Sequence, residues 1–199
     1  MSQADRDKWD RRYREGAYQS RGHPSAFVTQ CATYLPPTGR ALDLACGSGR
    51  NALYLAEKGL AVDAVDISAI ALERARAAAG NLPIAWLEHD LDLGFDAPAT
   101  YDVIVNIRYV NLPLLANLLS SLHPGGLLLV EQHLRGYRDV VGPTNPAFRV
   151  APGDLAELAA ALQVEELHEG LLEDPDGRTA AIARLVARKP RPSVDAPGA

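Results

Sequence analysis

The segment Ala41–Asn51, which reads Ala-Leu-Asp-Leu-Ala-Cys-Gly-Ser-Gly-Arg-Asn, constrains the fold of this chain more than any other stretch. An apolar run typical of a buried strand meets Gly47 and Gly49, and a helical pattern follows at once. A strand that turns through glycines into a helix directs several backbone N–H groups at one place, where a ligand can come close. Asp43 lies inside the apolar run, where a carboxylate is costly unless a cation or a hydrogen-bond donor meets it. The combination predicts a nucleoside-type cofactor with a positive charge rather than a diphosphate.

Composition narrows the class of protein. The 199 residues predict one domain with a full core, and the net charge of −5 argues against a general binder of nucleic acid or anionic membranes. Cys31 and Cys46 form no CxxC pair, which favours a reduced setting. The charged N-terminus has no apolar core of a signal peptide, and no uncharged apolar run approaches about 18 residues. We expect a cytoplasmic monomer or homodimer with a small-molecule substrate, no nucleic-acid partner and no membrane partner.

Strand and helix patterns alternate through the first two thirds of the chain. Strands are predicted over Ala41–Ala45, Ala61–Val65, Ile84–Glu88, Tyr101–Asn106 and Leu127–Gln132. Helices are predicted over Ser25–Tyr34, Asn51–Lys58, Ala69–Ala79, Leu112–Leu122 and Asp154–Leu162. Val164–Leu172 and Thr179–Arg188 then flank a turn-forming Asp-Pro-Asp-Gly stretch, which favours an antiparallel hairpin. The predicted fold class is α/β, with a doubly wound, mostly parallel, seven-stranded sheet and a C-terminal antiparallel hairpin.

Polar groups follow the predicted strands, at the edge where such sheets bind ligands. Asp66 ends the second strand 19 residues after Gly47, a spacing expected of a carboxylate that accepts hydrogen bonds from a ribose. Asp90 follows the third strand and can accept from an adenine amino group, and Asn106 and Arg108 follow the fourth. Each has an ordinary alternative, such as a tight glycine turn, a helix N-terminal acid or a solvated loop residue. Because these groups follow successive strands in order, we interpret them as parts of one binding site rather than as unrelated turn and loop residues.

This pattern resembles the class I S-adenosylmethionine-dependent methyltransferases over about residues 9 to 189. The resemblance implies S-adenosyl-L-methionine as cofactor, with its methionine part on the glycine turn, its ribose at Asp66 and its adenine at Asp90 and Leu91. The predicted cofactor-binding residues are Trp9, Tyr13, Asp43, Ala45, Gly47, Gly49, Asn51, Asp66, Ile67, Asp90, Leu91 and Asn106. No metal ligand is predicted.

A narrower resemblance links the chain to the tellurite-resistance and thiopurine-type methyltransferases, through Trp9-Asp-Arg-Arg-Tyr13, Pro24-Ser-Ala-Phe27 and Arg50-Asn51. Those enzymes methylate small, soft nucleophiles such as sulfur, selenium or tellurium species. The resemblance implies an N-terminal helical lid (residues 1–36) ahead of a methyltransferase domain (37–189). The Pro/Gly-rich composition of residues 190–199 predicts a disordered tail. Trp9 and Tyr13 either pack over the cofactor or anchor a mobile segment in the core.

The narrower pattern also departs from its family. Arg178 matches an arginine in the last turn, but the expected histidine ahead of the hairpin is absent unless His168 replaces it. Tellurite as the substrate is therefore left open.

The acceptor side is less defined than the cofactor side. Methyl transfer from a sulfonium mainly requires alignment of nucleophile, methyl group and leaving sulfur, with water excluded. A thiol or oxyanion acceptor is helped by cations or hydrogen-bond donors, and the candidate catalytic residues are Arg108, His133, Arg149 and Arg178. His133 is either a base for a harder nucleophile or an ordinary loop histidine.

Two other functions remain possible from the sequence. The pattern Gly47-Ser-Gly-Arg-Asn-Ala52 also satisfies the GxGxxA pattern of an NAD(P)-dependent oxidoreductase, with Asp66 suitably spaced. A non-catalytic protein that binds S-adenosylmethionine would show the same cofactor residues. Asp43 within the strand, the long segment before the first strand and the closing hairpin favour the methyltransferase.

Overall fold

The computed structural model describes residues 3–16, 22–173 and 177–192. The strands are β1 (Gly39–Leu44), β2 (Leu60–Asp66), β3 (Ile84–Glu88), β4 (Tyr101–Ile107), β5 (Leu122–His133), β6 (Gln163–Glu173) and β7 (Thr179–Arg188). The helices are α1 (Gln3–Arg14), α2 (Ala26–Gln30), α3 (Arg50–Glu57), α4 (Ala69–Ala79), α5 (Leu112–Leu118) and α6 (Asp154–Leu158). Short 3₁₀ turns span Cys31–Tyr34, Leu91–Leu93, Leu119–Ser121 and Pro146–Phe148.

The described strands form one seven-stranded sheet in the order β3-β2-β1-β4-β5-β7-β6. The strands from β3 across to β5 run parallel, and β7 pairs antiparallel with both β5 and β6. The strand order reverses direction between β1 and β4, which is where ligands bind in sheets of this kind. The predicted fold class is confirmed, including the C-terminal hairpin.

Both faces of the sheet are covered, which explains why its central strands read as continuous apolar runs. On one face Ile104 packs in a cluster with Leu115 of α5 and Leu155 of α6. On the other face Val105 belongs to a cluster with Leu55 of α3 and the residues of α2 and α4 that cover β1 and β2. Residues of the central strands that point alternately to the two faces are therefore mostly buried.

Three predicted helices are shorter than expected. The helix predicted over Ser25–Tyr34 is α-helical only over Ala26–Gln30 and continues as the 3₁₀ turn Cys31–Tyr34. The helix predicted to Leu122 ends at Leu118, and β5 begins at Leu122 rather than at Leu127. Lys189 from the far end of β7 donates from Nζ to the carbonyls of Leu119, Ser120 and Leu122, and so satisfies groups that a further helical turn would have used. The helix predicted to Leu162 likewise ends at Leu158. These boundaries depend on contacts from distant parts of the chain.

Some predictions fall outside what the structure describes. The turn between β6 and β7 includes residues 174–176, and most of the predicted tail is residues 193–199; both lie outside the described residues. In the ranges that are described, every helix is too short or too polar to cross a membrane.

The amino ends of the strands are held by a buried carboxylate. Asp63 of β2 is 2% exposed and accepts from Nε and Nη2 of Arg40 at 3.0 and 2.9 Å and from the hydroxyl of Tyr101 at 2.7 Å. Burial and the hydrogen bond to Asp63 raise the pKa of Tyr101, so this hydroxyl remains a donor. The network joins β1, β2 and β4 at the end of the sheet away from the glycine turn.

Replacing Asp63 with alanine is expected to lower the free energy of unfolding by about 2–3 kcal/mol, because Tyr101 and Arg40 lose their shared acceptor. Tyr101→Phe removes one hydrogen bond from the same network and is expected to cost about 1 kcal/mol. Urea denaturation of both variants measures the difference. Equal losses would show that the ion pair with Arg40 contributes little.

Candidate functional site

A cavity of about 470 Å³ lies at the carboxyl ends of the central strands, within the usual size range of ligand sites. Its floor is the turn after β1, its sides are the segments that follow β2, β3 and β4, and α1 and the turn Pro146–Phe148 cover it. The lining residues are Asp5, Trp9, Tyr13, Ala45, Cys46, Gly47, Ser48, Arg50, Asn51, Asp66, Ile67, His89, Leu91, Asp92, Ile107, Arg108, Tyr109, Val110, Ala147 and Phe148.

The turn after β1 needs glycine for two separate reasons. Gly47 has φ of 57° and Gly49 has φ of 81°, in the left-handed region that side chains disfavour. A Cβ on Gly47 would lie 2.4 Å from the hydroxyl oxygen of Tyr13, and one on Gly49 would lie 2.5 Å from the ring of Trp86. The chain therefore turns sharply from β1 into α3 while neighbouring aromatic residues approach its backbone.

Asp66 joins this turn to the next one. Its Oδ2 accepts from the backbone N–H of Gly47 at 2.7 Å, and its Oδ1 accepts from that of Ser68 at 2.9 Å. Burial raises the pKa of Asp66, although these backbone hydrogen bonds act in the opposite direction. The carboxylate fixes the ends of β1 and β2 relative to each other, at the wall of the cavity.

Asp43 lies beneath the same turn and is 1% exposed. Its Oδ2 has no hydrogen-bond partner among the described residues. Burial raises its pKa to about 7, while the charge of Arg50 and the backbone N–H of Ala52 lower it. A carboxylate held in this way would be stabilised by a cationic ligand group close to it.

Helix α1 is attached to the carboxyl edge of the sheet by polar contacts. Asp10 accepts from the hydroxyl of Ser68 at 2.7 Å, and Ser68 is the N-cap of α4. Arg6 forms a 3.2 Å ion pair with Glu88 at the end of β3. Asp10 and Asp66 therefore both accept hydrogen bonds from Ser68, at the start of α4.

Aromatic residues of α1 line the cavity, and cationic side chains of the same helix contact one of them. Tyr13 is buried, and Trp9 lies among the lining residues. Lys8 Nζ lies 5.9 Å from the ring centroid of Trp9 and 5.6 Å from that of Phe148, and the guanidinium of Arg12 lies 5.0 Å from Trp9. Cation–π contacts thus link α1 to the turn Pro146–Phe148 on the other side of the cavity.

The end of β4 holds Arg108 in an unusual conformation. Its φ is 65°, which is uncommon for a residue other than glycine and marks a constrained position. The backbone N–H of Arg108 donates to the carbonyl of Glu131 at 2.8 Å, and its Nε donates to Oε1 of Glu131 at 3.0 Å. Its Nη1 lies 2.9 and 2.7 Å from the ring nitrogens Nδ1 and Nε2 of His133.

Tyr109 connects the ends of β3 and β4. Its hydroxyl donates to Oδ1 of Asp92 at 2.5 Å, and its carbonyl accepts from the side-chain amide of Gln132 at 2.7 Å. Burial, followed by the hydrogen bond to Asp92, raises the pKa of Tyr109. The hydroxyl therefore stays protonated and cannot serve as a base near neutral pH.

The structure brings together part of the predicted residue set. The predicted residues that line the cavity are Trp9, Tyr13, Ala45, Gly47, Asn51, Asp66, Ile67, Leu91 and Arg108. Those outside its lining are Asp43, Gly49, Asp90, Asn106, His133, Arg149 and Arg178. The roles assigned to all of them remain predictions.

Several predicted residues outside the cavity lining form local hydrogen bonds. Asp90 accepts from the backbone N–H of Asp92 as the cap of the turn Leu91–Leu93. Arg149 donates from Nε to the carbonyl of Pro143 and from Nη1 to that of Leu134, and so holds its own loop together. Asn106 is fully buried and accepts from the amide of Gln132.

Other cavity and support residues were missed from the sequence. Asp5, Arg50, His89, Asp92, Tyr109 and Phe148 line the cavity but were not among the predicted site residues. Glu131 supports Arg108 and carried a readable signal, since it is a charged residue that directly follows the apolar run Leu127–Val130. Asp43 was recognised by a similar signal, since it is a charged residue within an apolar run.

Comparisons with known proteins agree with this geometry. Residues 41–126 match a family model described as a methyltransferase domain. The fold is similar to the crystal structure of TehB from Haemophilus influenzae, with a TM-score of 0.72 and 25% identity over 87% of this chain and 66% of that one. A TehB-like S-adenosylmethionine-dependent methyltransferase from Corynebacterium glutamicum has a TM-score of 0.62 at 20% identity, over 94% of this chain and 100% of that one, and shows the same fold.

Curated relatives match about half of the chain. YqeM of Bacillus subtilis, which is named as a methyltransferase, is 33% identical over 111 residues, covering 50% of this chain and 44% of its own. The carboxy-S-adenosyl-L-methionine synthase of Aeromonas salmonicida is 28% identical over 124 residues, covering 56% and 50%. The chain therefore spans about half the length of these curated relatives.

The raised pKa of Asp43 predicts a pH-dependent stability. The folded state holds a proton on Asp43 up to about pH 7, whereas the unfolded chain releases it near pH 3.8, so stability falls as pH rises through that window. Asp43→Asn removes this titration, and its stability relative to the parent protein is expected to increase from about pH 5 to about pH 8.

Urea denaturation of both proteins across that pH range measures the effect. Asp96→Asn, at an exposed loop position, serves as the matched control and should show no such change. A stability difference that is the same at both ends of the range would contradict the assignment to Asp43.

Proposed function

We propose that this chain, which carries a class I S-adenosylmethionine-dependent methyltransferase domain, transfers a methyl group from S-adenosyl-L-methionine to a small-molecule acceptor. The match to a methyltransferase-domain model and the similarity to TehB support the family, the enzyme class and the cofactor predicted from the sequence. The identity of the acceptor, the site residues and the lid remain proposals.

The observation that carries the proposal is the pair of buried carboxylates around the glycine turn. Asp43 lies below it with an oxygen that has no partner among the described residues, and Asp66 bridges it from the side. We assign the ammonium and sulfonium end of the cofactor to the region of Asp43 and its ribose to Asp66. The backbone of the turn around Gly47 would lie against the methionine part of the cofactor, because glycine lets a ligand approach closely.

The same carboxylate argues against a dinucleotide. A diphosphate on the glycine turn would bring negative charge close to Asp43 and oppose its ionisation, whereas a cationic group of the ligand would favour the ionised carboxylate. The oxidoreductase alternative is therefore disfavoured on electrostatic grounds.

Bound S-adenosylmethionine supplies an activated methyl group, so the chain needs chiefly to bind, orient and exclude water. Trp9 and Phe148 would shield the reacting atoms, because both rings line the cavity and both lie near Lys8. Arg108 would hold an acceptor at the end of β4. We propose a soft nucleophile, a thiol or a chalcogen oxyanion, because it reacts without a strong base and Tyr109 remains protonated.

The cofactor assignment is tested by calorimetry with S-adenosylmethionine and with NAD. The protein is expected to bind S-adenosylmethionine and to bind NAD far more weakly. Asp66→Ala is expected to weaken S-adenosylmethionine binding by about tenfold or more, since a charge-assisted hydrogen bond contributes about 1.5–3 kcal/mol. Asp96→Ala is the control and should bind as the parent does. Tight binding of NAD alone would overturn the proposal.

The lid role of α1 is tested with Trp9→Ala. Loss of the ring opens the cavity mouth, and we expect faster dissociation of S-adenosylmethionine and loss of aromatic shielding, with a severalfold weaker affinity. Arg11→Ala, at an exposed position of the same helix, controls for changes in helix α1 itself. Stopped-flow fluorescence measures the dissociation rate. Unchanged rates together with a lowered unfolding free energy would instead indicate a core anchor.

A further inference from the structure

Three hydrogen-bonded side chains lie at the amino ends of β4 and β5, at the end of the sheet away from the cavity. Thr100 directly precedes β4, Asp102 lies within it, and His123 is the second residue of β5. The hydroxyl oxygen Oγ1 of Thr100 lies 2.5 Å from Nε2 of His123, and Nδ1 of His123 lies 3.1 Å from Oδ1 of Asp102. A hydroxyl, an imidazole and a carboxylate are thus linked in that order.

An irregularity in the pairing of β4 with β5 brings two of these residues together. The register stops after the pair Tyr101 and Leu122, and it resumes two residues later on β4 but five residues later on β5. Asp102 and His123 both lie within this interruption. Irregularities of this kind redirect side chains and are frequent beside active sites.

Asp102 is held in place by the backbone of β1. Its Oδ2 accepts from the N–H of Arg40 at 2.8 Å. Gly39 permits this contact, because a Cβ at that position would collide with the carboxylate of Asp102. Burial opposes the ionisation of Asp102, but the hydrogen bonds from Arg40 and His123 outweigh it and lower the pKa of Asp102. Asp102 is therefore an ionised carboxylate in a fixed position.

This carboxylate determines which nitrogen of His123 accepts a hydrogen bond. An ionised carboxylate only accepts, so Nδ1 of His123 carries a proton and donates it to Asp102. In the neutral imidazole Nε2 is then the acceptor, and the hydroxyl of Thr100 donates to it. A hydroxyl that donates to a base, with a third group orienting that base, is the arrangement that activates a nucleophile.

The three side chains are open to small molecules. Thr100 is exposed, and the side chains of His123 and Asp102 are 45% and 33% exposed. All three lie outside the lining of the cofactor cavity. This exposure favours a small, reactive ligand over one that needs a deep pocket, and the location separates the group from the site assigned to methyl transfer.

We propose that Thr100, His123 and Asp102 form a second reactive site, in which Thr100 is a nucleophile toward small activated esters. Oγ1 of Thr100 forms a bond to the acyl carbon while its proton passes to Nε2 of His123. The bond from the acyl carbon to the leaving oxygen breaks, and that oxygen takes the proton from Nε2. Water then adds to the acyl carbon and gives one proton to Nε2, and the acyl bond to Oγ1 breaks as Oγ1 takes that proton back.

The site is tested with p-nitrophenyl acetate and the full chain. The parent protein is expected to release p-nitrophenolate and to carry an acetyl group on Thr100, which mass spectrometry of its peptides locates. Thr100→Val is expected to lose the acetyl group and to react at least about tenfold more slowly, since a positioned base contributes about 10²–10⁴-fold. Thr100→Ser keeps a hydroxyl and is expected to retain both activities. Thr38→Val, at an exposed position just before β1, is the matched control and should react as the parent does.

Two further variants separate the roles of the base and of its partner. His123→Gln removes the base and is expected to lose the acetyl group, whereas His168→Gln, at an exposed position of β6, should keep it. Asp102 does not touch the ester and is a positioning residue. In Asp102→Asn, nitrogen NMR of the His123 ring is expected to show the proton moving from Nδ1 toward Nε2, because an amide can donate to Nδ1. A merely structural role of Asp102 would leave the ring tautomer unchanged.

The outcomes decide for or against the second site. An acetyl group on Thr100 that depends on His123 supports it. The proposal is overturned if Thr100→Val keeps the parent rate, if His123→Gln keeps the acetyl group on Thr100, or if the parent releases no more p-nitrophenolate than buffer does. Calorimetry with S-adenosylmethionine on the same variants is expected to show unchanged binding, because the two sites lie at opposite ends of the sheet. Failure of the parent to bind S-adenosylmethionine would overturn the proposed function and leave this inference standing.

Discussion

The site depends on the buried carboxylate of Asp66, which accepts from the backbone of Gly47 and of Ser68. One side chain thereby fixes the turns that follow β1 and β2, and these turns form the floor and one wall of the cavity. Ser68 in turn donates to Asp10 of α1. The helix over the cavity is therefore attached to the same segment. If Asp66 were replaced by an apolar residue, two buried N–H groups would lose their acceptors, which is more costly than an unmade surface contact.

Three carboxylates within the sheet follow the same physical rule with different results. Asp63 at the amino ends of the strands accepts from Arg40 and Tyr101, and Glu131 accepts from two arginines. Both are compensated by partners within the chain. Asp43 differs, because one of its oxygens has no partner among the described residues. This asymmetry distinguishes a carboxylate that stabilises the fold from one that is suited to a ligand.

Much of the fold could be predicted because apolar runs and glycine turns are local signals. The run Ala41–Leu44 followed by Gly47 indicated a strand and a turn, and the hairpin was predicted from its Asp-Pro-Asp-Gly stretch. The sequence did not predict that β5 begins at Leu122, because Lys189, which is distant in the chain, contacts the carbonyls at that point. The cavity lining was predicted in part for a similar reason. Arg149 and Asp90 are polar residues close to the ends of strands, but each forms hydrogen bonds with backbone groups nearby and lies outside the cavity lining.

The sequence by itself determined the order of strands and helices, the glycine turn and the carboxylates at the strand ends, because each is specified by residues close together in the chain. Tertiary structure alone decided which of those groups meet. It placed Trp9 and Phe148 in the lining of one cavity, although they are far apart in sequence, and it set Glu131 between Arg108 and Arg184. Such encounters depend on strand register and on side-chain direction across three strands. A linear pattern identifies the chemical groups, and packing determines their partners.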